Sequence, residues 1–148
     1  ARSLRSAASG VAVCVAVTVV DGVVYARATH NHSLNYRSAV IHGTATPATD
    51  KEHGLRMITN HLAPGSWEHA RQPNRRELAA TSVLALDLTE ASVKIRGGPP
   101  GDSADDIAAG TAWAGVLPLR QVWDEPEPAP DLPSGIPVPE HVLRRGVP

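Results

Sequence analysis

Residues 11–20 read Val-Ala-Val-Cys-Val-Ala-Val-Thr-Val-Val, and this β-branched run limits the fold more than any other part of the chain. Branching at Cβ restricts side-chain rotamers in a helix and suits the pleated surface of a strand. Asp21-Gly22 follows, the kind of dipeptide that favours a type I′ turn, and residues 23–29 resume the apolar pattern. The sequence therefore predicts a two-residue hairpin with Val20 opposite Val23. In such a hairpin one face carries Val15, Val17, Val19, Val24, Ala26 and Ala28 and must be core. The other carries Cys14, Ala16, Thr18, Tyr25, Arg27 and Thr29, small and polar enough for a ligand or a partner subunit to approach.

The remaining elements follow from periodicity and punctuation. Leu4, Ala7 and Ala8 make a helical stripe over residues 1–9 that Gly10 ends. Residues 36–46 read as a strand. Asp50 caps a helix running to Leu62, with Leu55, Ile58 and Leu62 on one side and Pro64-Gly65 after it. Residues 74–80 suit a short second helix. Residues 82–96 read as one long strand whose apolar phase shifts, from Leu84, Leu86 and Leu88 to Val93 and Ile95, which is the mark of a bulge or bend. Residues 97–109 form a Gly/Pro/Asp loop, residues 113–119 a last strand, and residues 124–139 a proline-rich extended tail. A chain of 148 residues has a one-domain length and can build a core, which here must be Val, Ala, Leu and Ile because there is no Phe and aromatics are 3%.

Several function classes drop out. The formal charge of -1 provides no bulk attraction to nucleic acid or anionic lipid, and no apolar run approaches the roughly 20 residues of a membrane span. One cysteine forms neither an intramolecular disulfide nor a cysteine zinc site, and no signal peptide opens the chain, so a reduced, cytoplasmic setting is expected. His30 and His32 have no Cys or carboxylate at ligand spacing nearby, so no metal is expected. Gly97-Gly98-Pro99-Pro100 lacks the spacing of a dinucleotide or P-loop motif, and no Ser-His-Asp or paired-carboxylate arrangement stands out.

The segment His32-Ser33-Leu34-Asn35-Tyr36-Arg37-Ser38-Ala39-Val40-Ile41-His42-Gly43, following the Val-rich stretch, resembles the pyridoxamine 5′-phosphate oxidase-related family of flavin-nucleotide-binding proteins. Pro64-Gly65-Ser66-Trp67, the run from Ala91 to Pro100 and Trp113-Ala114-Gly115-Val116-Leu117-Pro118 fall in the family's order. The resemblance covers residues 1–122 and implies a mainly β split barrel with flanking helices, working as a homodimer with FMN in grooves between subunits. Residues 123–148 are the proline-rich tail. The family's pattern begins with further strands ahead of residues 1–9, so strands that would close the barrel are expected to be missing here.

The resemblance also nominates site residues. Arg2 stands where related oxidases carry a Ser-Arg-Lys signature whose arginine grips the phosphate, although Ala1 and Ser3 flank it here. Asn35, Tyr36, Arg37 and Ser38 belong to the flavin-contacting segment, with Ser38 a hydrogen-bond partner and Arg37 either a phosphate ligand or an interface ion-pair partner. Lys94 and Arg96 leave one face of an extended strand about 6.5–7 Å apart, which favours an anion or carboxylate between them. That anion is either a flavin phosphate or one of Glu90, Asp102, Asp105 and Asp106. Trp113 walls the ring or fills core, and Trp67 is read as core. The function expected is an FMN-dependent oxidoreductase acting on a small organic substrate. A non-catalytic flavin-binding or storage module and a split barrel holding haem or a deazaflavin are the alternatives.

Overall fold

A computed structural model of the chain describes residues 10–146. The helix expected over residues 1–9, and Arg2 with it, lie outside the described residues. The rest divides into two compact units, one made of Ala12–Thr44 with Leu86–Gln121, the other holding Ala45–Ala85 and the chain from Val122 onward.

The first unit is an antiparallel sheet. Strand β1 (Val11–Tyr25) lies beside β2 (Ser33–Pro47), β4 (Glu90–Arg96) flanks β2, and β5 (Gly115–Pro118) flanks β1. The expected hairpin at Asp21-Gly22 does not form, because the chain runs straight through these residues as part of β1. A type I′ turn needs positive φ at both central residues, and Gly22 is not among the glycines that have it. The glycine serves a close approach instead. Gly22 pairs with Pro118, and a Cβ there would lie 2.8 Å from the backbone oxygen of Leu117. The reversal falls later, where the 3₁₀ turn Thr29–Asn31 links the strands and the Ala26 N–H donates to His32 Nδ1 at 2.9 Å.

Losing that turn rewrites the faces of β1. Alternation continues unbroken, so Val15, Val17 and Val19 lie on the side of Asp21, Val23 and Tyr25, opposite Val24. Val24 and Ala26 are core, 0% and 3% exposed, whereas Val15, Val17 and Val19 are 40%, 53% and 38% exposed. The same outer face continues on β4 with Val93 and Ile95.

The single strand expected over residues 82–96 is two, β3 (Leu84–Ala85) and β4. Thr46 pairs with Ala85 and His42 with Glu90, so the three residues Gly43 to Ala45 stand against four, Leu86 to Thr89. One extra residue is what the shift in apolar phase announced. The loop expected over residues 97–109 contains a helix, α4 (Ala104–Ala109), started by Ser103 accepting from the Asp106 N–H at 3.1 Å.

The second unit is mainly helical. Asp50 caps α1 (Lys51–Leu62) by accepting from the His53 N–H, a short α2 (Ser66–His69) follows, and α3 (Arg75–Ala80) opens with a capping box of Asn74 and Glu77. α1 and α3 are the expected helices, with Pro64-Gly65 ending the first, while α2 was not anticipated. Residues 124–139 contain no helix or strand before α5 (Glu140–Leu143), and residues 124–138 lie exposed. Arg145 stacks over Trp123 with its guanidinium carbon 4.2 Å from the ring centre.

Candidate functional site

Two strands bring part of the nominated set together. β2 and β4 pair with Tyr36 opposite Arg96 and Ser38 opposite Lys94, so all four side chains share one face of the sheet. The Lys94 ammonium lies 6.0 Å from the centre of the Tyr36 ring, and Ser38 Oγ donates to the Lys94 carbonyl at 3.5 Å. Among the described residues neither Lys94 nor Arg96 forms an ion pair. Of the four carboxylates named as alternatives, Asp102 pairs with Arg27 and Asp106 accepts from the Ser103 hydroxyl at 2.8 Å.

Asn35 organises this edge. It is 9% exposed, accepts from Arg96 Nη1 at 2.8 Å and donates through Nδ2 to the Gly98 carbonyl at 3.1 Å. Arg96 also donates to the Leu34 carbonyl at 3.3 Å. Neutral partners position the guanidinium and leave its charge uncompensated, so it remains able to meet an anion.

Arg37 and Trp113 sit on the other face. Arg37 makes a two-pronged pair with Asp21, Nε to Oδ2 at 3.0 Å and Nη2 to Oδ1 at 2.8 Å. The Arg37 hydrogen bonds hold the Asp21 carboxyl below its ordinary range and raise the Arg37 guanidinium in turn. Of the two roles nominated for Arg37, the geometry matches ion pairing, here within the chain. Trp113 is 70% exposed and its ring lies 5.8 Å from Tyr25, which itself meets His32 edge-on at 5.8 Å. The Trp113 ring also covers Gly115, where a Cβ would come within 2.8 Å of it.

Two features escaped sequence reasoning. Arg27 and Asp102 form a latch far apart in sequence: Asp102 accepts from Arg27 Nη1 at 2.8 Å and from the Arg27 N–H at 3.0 Å, with its side chain 1% exposed. Burial pushes the Asp102 carboxyl up, but the Arg27 guanidinium and backbone N–H outweigh it and hold the group below its ordinary value. Asp21 is the second, since a residue read as a turn gave no reason to look across the sheet to Arg37. Both needed the pairing of distant strands.

The residues present fit the anionic part of a flavin nucleotide. A phosphate needs cations and donors converging from one side, and the Lys94–Arg96 face with Ser38 and Tyr36 supplies them.

A model of the pyridoxamine 5′-phosphate oxidase family matches residues 1–95. The chain belongs to this family. Two solved structures resemble it over nearly its whole length. One is the FAD and heme binding protein from Mycobacterium smegmatis, with a TM-score of 0.91 and 41% identity, covering 97% of this chain and 71% of that one. The other is the flavocytochrome Anf3 from Azotobacter vinelandii, with a TM-score of 0.87 and 37% identity, covering 97% of this chain and 68% of that one. No curated protein sequence matches the chain. The family's architecture, an antiparallel sheet with flanking helices, is the one found, and the described strands do not close into a barrel. Among the described residues no helix is long and apolar enough to cross a membrane.

Proposed function

We propose that this family member is a flavin-dependent oxidoreductase acting on a small organic substrate, with the flavin phosphate met by Lys94 and Arg96 and the nucleotide bordered by Tyr36 and Ser38. The observation that carries this reading is the cationic face itself, two basic side chains on one strand that form no ion pair among the described residues. When bound, the flavin supplies the electron-accepting ring. The chain's own residues bind and orient it: Arg96 is held by Asn35, and Ser38 offers a hydroxyl beside Lys94.

The flavin is FMN or FAD, whose shared phosphate chemistry the cations read; FAD is the one named for the mycobacterial relative. Haem is a second reading, favoured because that relative binds heme and the other is a flavocytochrome. The working form is a cytoplasmic homodimer in which the exposed apolar face of Val15, Val17, Val19, Val93 and Ile95 packs against a second copy.

Purified protein should be yellow and release a flavin on denaturation, which chromatography assigns as FMN or FAD; a Soret band in the intact protein would establish haem. Replacing Arg96 by Ala should weaken flavin binding by about 1.5–3 kcal/mol, the range of a charge-assisted hydrogen bond. Arg37→Ala should change it little. Equal losses for both arginines, or none for Arg96 and Lys94, would remove the phosphate from this face.

A further inference from the structure

The polar sheet face holds a second constellation, at the other end of β2. Cys14 on β1 is exposed, and its Sγ lies 3.9 Å from His42 Nε2 on β2. His42 in turn pairs across β4 with Glu90. A thiol, an imidazole and a carboxylate therefore stand in a row on three neighbouring strands. Beside His42 opens a hollow of about 500 Å³ bordered by Ala12, Val13, His42, Asp87, Thr89 and Glu90; Cys14 follows Val13 on β1 and reaches its rim only through His42. The Asp87 carboxyl is held below its ordinary range by the Thr89 hydroxyl and N–H, so the hollow carries negative charge at neutral pH. Among the described residues no three His, Cys, Asp or Glu side chains are grouped to hold a metal.

A cysteine attacks as its thiolate, and a neighbouring imidazole that takes the proton is the usual means of activating it. We infer that Cys14 is a reactive thiol, served by His42 as its base, that exchanges with small cationic disulfides entering the acidic hollow. The Cys14 proton passes to His42 Nε2 in the tautomer that leaves this nitrogen unprotonated. The sulfur then attacks one sulfur of the disulfide, forming a new S–S bond as the old one breaks. The departing thiolate takes the proton from the imidazolium. One thiol and one disulfide enter and one of each leaves, so no outside oxidant is needed. The charge preference follows from Asp87 and Glu90, which attract an ammonium-bearing disulfide and repel a carboxylate-bearing one.

The site can be tested without knowing the flavin, because Cys14 is the one cysteine in the chain and every mixed disulfide reports on it. The full chain is treated with cystamine, a dication, or dithiodiglycolate, a dianion, and the adduct is followed by mass. His42→Gln should react with cystamine roughly tenfold more slowly than the wild type, below the span of about 10²–10⁴ for an enclosed general base because the pair is open to water. The preference for cystamine should exceed that of the same chain unfolded in urea by roughly threefold at low ionic strength, and should shrink with salt or with Asp87→Asn and Glu90→Gln. Equal wild-type and His42→Gln rates with matching circular dichroism would overturn the role of His42. If that variant fails to fold, a native thiol no faster than the unfolded one overturns the proposal instead. A preference unchanged on unfolding would overturn the acidic hollow as the selector.

Discussion

Val24 and Val17 are the same residue on the same strand, yet Val24 is 0% exposed and Val17 is 53% exposed. The difference is facing and neighbour together, since alternation sends the two side chains to opposite faces of β1. β5 runs alongside β1 from Gly22 to Tyr25, with Val24 opposite Val116, and its pairing does not extend to Val17. An apolar β-branched residue thus reports that a strand can form, while burial depends on which chain segment arrives beside it.

The largest effect should come from the covered half of β1. Val24→Ala should destabilise the fold by roughly 2–3 kcal/mol through lost burial and the cavity left behind, read as a shift in urea midpoint at constant slope. Gly22→Ala should cost about 1–3 kcal/mol, since the new Cβ would meet the Leu117 backbone oxygen, which cannot rotate away. Gly43→Ala sharpens the point: its obstruction is Leu86 Cδ1, the end of a flexible side chain, so the loss should be smaller than at Gly22. If the two glycines cost the same, backbone approach by β5 is not what fixes Gly22.

The exposed half should answer differently. Val17→Ala should move monomer stability by no more than about 0.5 kcal/mol. Val17→Asp should instead lower the dissociation temperature of the proposed dimer, seen by sedimentation at micromolar concentration. A Val17→Ala loss as large as that of Val24→Ala would mean that a partner covers both halves equally.

The Arg27–Asp102 latch gives the smallest effect and a pH signature. Asp102 has its folded value below the ordinary one, so its contribution is present above about pH 3.9 and is lost as the pH falls through the folded value. Asp102→Asn should reduce stability at neutral pH and remove part of the fall in stability below about pH 4. Parallel stability curves for wild type and variant across that range would show that the latch does not titrate with folding.

Local signals were legible wherever a few neighbouring residues set the outcome. Asp50 caps the helix it was expected to cap, because a cap is satisfied by backbone N–H groups two or three residues away. The phase shift between Leu88 and Val93 marked the extra residue between β3 and β4, because strand alternation counts residues one at a time. Asp21-Gly22 misled for the opposite reason. Its turn propensity is worth little against four paired residues of β5, and the glycine's lack of a side chain serves a strand that arrives from the far end of the sequence.

The candidate site divides in the same way. Alternation alone placed Tyr36 and Ser38 opposite in facing to Arg37, and Lys94 on the same side as Arg96, because side-chain direction in a strand has a period of two. Composition likewise fixed a core of small aliphatic residues, and the quoted motifs were enough to point to the family. Sequence could not supply the partners across strands: Arg96 on Asn35, Arg37 on Asp21, Asp102 on Arg27, Cys14 beside His42. These pairs join residues that separate elements carry to one place. Register between such elements is settled by the packing of the whole sheet, so tertiary structure alone decided which cations were neutralised and which were left free for an anion.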